Sequence, residues 1–93
     1  MATIHIEAAG ISKYHVSIDE RGRTSRHTVT ATPADVARYA PEGTSPERLI
    51  HASFEFLLER EPASSILPSF ALPVIERYFP EYAKVIREQV RRV

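Results

Sequence analysis

At 93 residues, 43% of them apolar and 26% charged, the chain has the composition of one globular domain, spanning 1–93, without material for a second independent core. Twelve basic and twelve acidic side chains cancel, so binding to nucleic acid or an anionic membrane would need a local patch. The absence of cysteine excludes a disulfide framework, a thiolate nucleophile and cysteine-ligated zinc.

The opening segment MATIHIEAAG lacks the basic start and long apolar run of a signal peptide. No apolar stretch approaches the roughly 20 residues of a membrane span. The expectation is a cytoplasmic protein with no membrane partner. Up to residue 32 apolar side chains alternate, which is the period of a strand. In ATIHIEAA, Ile4 and Ile6 share a face with Ala2 and Ala8, opposite Thr3, His5 and Glu7. In KYHVSID, Tyr14, Val16 and Ile18 oppose Lys13, His15 and Ser17. In TSRHTVTA, His27, Val29 and Ala31 oppose Arg26, Thr28 and Thr30. Turns fall near Gly10 and at DERGR. A tight loop at Arg21-Gly22 sets Val16 opposite His27 and Tyr14 opposite Val29; a one-residue slip would spoil the apolar face. The expected fold class is therefore α+β: a three-stranded antiparallel meander (1–32) packed on one face by C-terminal helices (33–93).

Helix starts are explicit in the second half. Thr32, Pro33 and Asp35 read as a cap, first turn and capping partner, predicting a helix over 33–39. Thr44 or Ser45, followed by Pro46 and Glu47, opens a second helix over 46–60. Its Leu49, Ile50, Phe54, Phe56, Leu57 and Leu58 leave only a polar stripe through Arg48, His51, Glu55 and Glu59, so this helix lies between two layers. EPASSILPSFALP reads as a connector with a helical turn at Ser64–Leu67, dipping Ile66, Leu67, Phe70 and Leu72 into the core. Pro80 interrupts the amphipathic stretch 73–91, because it lacks an amide hydrogen and clashes with the preceding turn. A short helix from Pro73 to Tyr78 and a new one beginning at Pro80 are expected.

The runs SFEFLLEREP (53–62), SIL (65–67) and VIERYFPEY (74–82) carry a resemblance. Over residues 27–82 the chain resembles a group of small uncharacterised bacterial proteins with this recurring pattern. The resemblance implies a bacterial, cytoplasmic protein; it carries no activity, cofactor or catalytic residue.

Candidate chemistry is sparse. His5 and His15 on the outer sheet face, with Glu7, make an incomplete metal set, and solvated polar residues alternating with isoleucine and valine are the favoured reading. His51, Glu55 and Glu59 share a helix face but lack the second histidine of a metallohydrolase helix. Ser53, Ser64 and Ser65 lack the glycines of a nucleophile elbow, and three glycines cannot build a phosphate-cradling loop. No catalytic residue, metal or cofactor is expected, and the chain reads as no enzyme.

Two basic clusters remain: Arg21, Arg23 and Arg26 at the second hairpin, and Arg87, Arg91 and Arg92 at the C-terminal end. Should they lie together, they would form a phosphate-binding surface. A nil net charge and the lack of interleaved aromatics disfavour nucleic acid. The aromatic corner Arg77, Tyr78, Phe79 and Tyr82 has the composition of an interaction hot spot. The first strand, guarded only by His5 and Glu7, is the more open sheet edge, since the third carries Arg23 and Arg26. On this reading proline at Thr3 or His5 removes an edge donor. The preferred function is a non-catalytic protein-interaction module, binding an unknown protein partner or itself through that edge or the corner. A phosphate or nucleic-acid binder is the alternative, and a small enzyme or metal protein ranks last.

Overall fold

The computed structural model of the chain describes residues 2–91. Three strands, β1 (Thr3–Gly10), β2 (Lys13–Glu20) and β3 (Arg23–Thr30), form the antiparallel meander. Val16 pairs with His27 and Tyr14 with Val29, as the turn length predicts. Arg21 and Gly22 connect these strands with φ of 52° and 79°, the doubly left-handed turn whose twist matches a hairpin. Glycine takes the second position without a Cβ penalty.

The expectation of three strands falls short. A fourth, β4 (Ser69–Ala71), pairs parallel to β3 and makes a mixed sheet ordered β1-β2-β3-β4. Thr28 N–H donates to the Pro68 carbonyl at 2.8 Å, and Leu72 N–H to the Thr30 carbonyl at 3.0 Å. The turn expected at Ser64–Leu67 sits slightly earlier, as a 3₁₀ turn at Ala63–Ser65. Between them Ile66 is buried, but Leu67 is 42% exposed and does not enter the core as expected. β4 extends the sheet and turns that side chain outward.

Helix α1 (Pro33–Tyr39) starts with the reciprocal cap foreseen: Asp35 N–H donates to Thr32 Oγ1 and Thr32 N–H to Asp35 Oδ2, each at 3.1 Å. Helix α2 (Pro46–Leu58) is capped by Ser45, whose Oγ accepts from Arg48 N–H at 3.2 Å. Both sides of α2 are occupied. Phe54 meets Phe70 and His27 on the sheet side, while Phe56 packs edge-on against Tyr82 of α4 (Tyr82–Arg91). A helix held between layers needs apolar residues over most of its circumference, which accounts for its composition.

Helix α3 (Pro73–Tyr78) ends before Pro80, as expected. Pro80 does not open α4. It occupies the second position of a turn that Tyr82 N–H closes onto the Phe79 carbonyl at 2.9 Å, where a fixed φ is favourable. Among the described residues no helix is long and apolar enough to cross a membrane.

Candidate interaction surface

Backbone parity identifies the open edge of the sheet. Thr28 N–H and the Thr30 carbonyl bond toward β4, whereas Ala31 N–H donates to the Ser12 carbonyl at 2.8 Å. Odd-numbered residues of β3 therefore bond toward β2. Given the register, even-numbered residues of β2 bond toward β3 and odd-numbered ones toward β1. Asp19, Ser17 and His15 face Thr3, His5 and Glu7, so those three β1 residues point their backbone groups inward. Ile4, Ile6 and Ala8 direct theirs to the outer edge. Among the described residues no backbone hydrogen bond from another element reaches them. The expectation that proline at Thr3 or His5 removes an edge donor is thus corrected: it would break the β1–β2 ladder. Ala8 is the cleaner position, because its side chain is exposed and its amide faces outward.

On the opposite margin β4 covers β3 only at Thr28–Thr30. The remainder of β3 is guarded by Arg23 and Arg26 and borders a groove shared with Pro62, Ala63 and Ser64. β1 has eight residues and no proline, lysine or arginine. It is the less protected edge.

The outer face of the sheet is polar. His5 Nε2 lies 3.4 Å from Asp19 Oδ2, both exposed, and His15 stands opposite Glu7. His5 is directly opposite Ser17, so the two histidines are offset along the ladder. Among the described residues no group of three or more histidine or acidic side chains is arranged to hold a metal ion. His27, on the inner face, is buried and fully bonded: Nδ1 donates to the Leu67 carbonyl at 2.8 Å and Nε2 accepts from Ser25 Oγ at 3.0 Å. A carbonyl can only accept, which places the ring proton on Nδ1.

The polar stripe of α2 adjoins β1. His51, Glu55 and Glu59 line a groove with Ala2, Ile4, Leu58 and Glu20. His51 Nδ1 lies 3.5 Å from Glu55 Oε1. At the other end of β1, where Tyr14 stands opposite Ala8, burial and then the Glu47 carboxylate push the Tyr14 hydroxyl up.

The aromatic corner divides. Tyr82 is fully buried and is removed from the surface group: its hydroxyl donates to Ser53 Oγ at 2.7 Å, and Ser53 donates to the Leu49 carbonyl at 2.7 Å. Its spacing with Ile86 and Val90, also buried, points it inward. Phe79 is half-buried against Phe56. Tyr78 is 67% exposed and Arg77 is exposed. Tyr78 and Leu67 rim a cleft of about 170 Å³ above Ile66, Phe70 and Ile75. Leu67 entered this site unforeseen, because its orientation depends on β4.

The arginines do not form one surface. Arg21 and Arg23 lie at the groove beside Pro62–Ser64, near the C-terminal end of α2, and Arg26 is on the outer sheet face opposite Ser17. Arg87 donates to the Arg38 carbonyl, and Arg48 donates to the Val90 carbonyl at 2.9 Å, so the end of α4 lies by the start of α2. The 13-residue helix separates the clusters by about 20 Å at 1.5 Å per residue. Arg91 is exposed; Arg92 lies outside the described residues.

Compared with family models, with curated proteins and with solved structures, the chain matches none.

Proposed function

We propose that the protein is a non-catalytic interaction module that takes an extended segment of a partner protein onto the outer edge of β1. The observation that carries this reading is the row of outward backbone groups at Ile4, Ile6 and Ala8, on a strand with no proline, lysine or arginine. Such a row supplies hydrogen bonds to any extended chain, while flanking side chains select which one. A strand left in this state is otherwise an aggregation hazard, and native proteins rarely leave one unguarded without a use.

The cleft rimmed by Tyr78 and Leu67 supports a second surface on the same module, because a tyrosine 67% exposed over an apolar floor is the make-up of an anchoring contact. Comparative capture separates the two. Tagged wild-type protein, Ala8→Pro and Tyr78→Ser are incubated with lysate of the source cells, with and without nuclease. Proline is tolerated on an edge, and Ala8 buries little, so the fold survives, as circular dichroism would verify. Partners held by wild type and Tyr78→Ser but lost by Ala8→Pro are the expected result. Retention of all partners by Ala8→Pro would overturn the edge reading, and their loss from Tyr78→Ser would transfer it to the cleft.

A further inference from the structure

The groove beside the open edge has a definite charge. Glu20, Glu55 and Glu59 line it together with His51, over an apolar floor of Ala2, Ile4 and Leu58. No lysine or arginine is among its lining residues. The nearest arginines are Arg48 of α2 and Arg60, two residues past its end. Arg48 reaches Val90 on the α4 side, and Arg60 lies 3.6 Å above the Phe56 ring and 3.3 Å from Glu81, with Nη1 also 3.4 Å from the Glu59 carboxylate. Three carboxylates and one imidazole therefore lie along the inner side of β1, with Arg60 offsetting only Glu59 from outside the lining, so the groove remains acidic.

We propose that the segment received at β1 is basic: an extended peptide with lysine or arginine at alternate positions. This rests on the reading of the β1 edge as the interaction surface. Residues directly opposite one another in adjacent strands project from the same face. Every second residue of the guest, those paired with Ile4 and Ile6, consequently projects over α2. Ile4, Ile6 and Leu58 are only half-buried, leaving apolar surface for long aliphatic stems to cover. Lysine and arginine combine such stems with a charged head that reaches past them, here to Glu55, Glu59 and Glu20. The intervening guest residues project beside His5 and Glu7 on the solvated face, where polar β-formers suffice.

The same geometry argues against a second copy of this chain. A two-fold pairing of β1 with β1 would set the two α2 stripes side by side on one face of the joined sheet. The guest strand would bring no lysine or arginine to Glu55 and Glu59. The inward residues of the guest β1 would be Ala2, Ile4, Ile6 and Ala8, which carry no charge to answer the carboxylates.

The test uses three synthetic extended peptides of the length of β1, alternating threonine with lysine, with glutamine or with glutamate. Binding is measured by fluorescence anisotropy at low and at physiological salt. Three proteins are compared: wild type, Glu55→Gln with Glu59→Gln, and Ala8→Pro. Both glutamates are exposed, so their replacement leaves the fold intact. The lysine peptide is expected to bind wild type most tightly and to weaken with salt. Each removed carboxylate should reduce its affinity roughly two- to five-fold, and Ala8→Pro should lose it. Equal binding of the lysine and glutamine peptides would overturn the basic-partner proposal while leaving the edge reading in place. Undiminished binding of the lysine peptide to Ala8→Pro would overturn both, since charge alone would then hold it. Failure of every peptide to bind at low salt would likewise overturn both.

Discussion

His27 Nδ1 donates to the Leu67 carbonyl at 2.8 Å, across forty positions of sequence, and so fastens the segment entering β4 onto β3. The adjacent Thr28–Pro68 backbone bond completes the clasp. By occupying this margin, the clasp leaves β1 as the long unprotected edge. The side chain performs two tasks, because its ring also packs 5.6 Å from that of Phe54.

Replacing His27 by leucine keeps most of the packing and removes the donor. The Leu67 carbonyl and Ser25 hydroxyl then lose their partner, at a cost of about 1–3 kcal/mol. Urea unfolding would measure the loss. The Thr28 amide should exchange faster in His27→Leu, relative to amides of β2, because β4 docks less firmly. Unchanged stability and exchange would show that the clasp is incidental.

The buried Ser53–Tyr82 pair predicts an asymmetry. Ser53→Ala strands the fully buried Tyr82 hydroxyl without an acceptor and should cost about 1–3 kcal/mol. Tyr82→Phe removes that hydroxyl but leaves Ser53 bonded to Leu49, so about 0.5–1.5 kcal/mol is expected. The double variant should be less destabilised than the sum, because nothing polar is left unpaired. Strict additivity in a double-mutant cycle would deny the bond.

Alkaline stability follows from Tyr39. Burial, then its 2.7 Å hydrogen bond to Glu76 and that carboxylate's charge, push its hydroxyl up to about 12 from 10.0. Burial moves Tyr82 in the same direction. A raised folded-state value means that the native protein holds the proton more tightly than the unfolded chain. The contribution is complete below pH 10.0 and declines as pH rises toward about 12. Tyr39→Phe should flatten that decline in denaturant midpoints taken across this window. An equally steep decline in the variant would contradict the assignment.

Much of this architecture is legible in the residues, and the exceptions have physical causes. The meander register follows from a period of two and a two-residue turn, because slipping by one would turn Val16 and Val29 outward. The cap at Thr32 and the break at Pro80 are equally local. β4 escapes such reading: its three residues, Ser69–Ala71, are too few for alternation, and only distant backbone bonds make them a strand. The outward donors of β1 do not need β4: the two-residue turn makes Glu20 and Arg23 a hydrogen-bonded pair, which with the register fixes the parity of all three meander strands. Tyr82 was accessible to sequence reasoning through its four-residue spacing with Ile86 and Val90. Its place in a cluster of aromatics suggested a surface instead.

Amide hydrogen exchange, residue by residue along β1, tests the central claim most directly. In the free protein Thr3, His5 and Glu7, whose amides bond to β2, should be protected, while Ile4, Ile6 and Ala8 exchange freely. Adding the lysine–threonine peptide should protect Ile4, Ile6 and Ala8 and leave the other three little changed. Protection confined to residues around the Leu67–Tyr78 cleft, with β1 unaltered, would contradict the account.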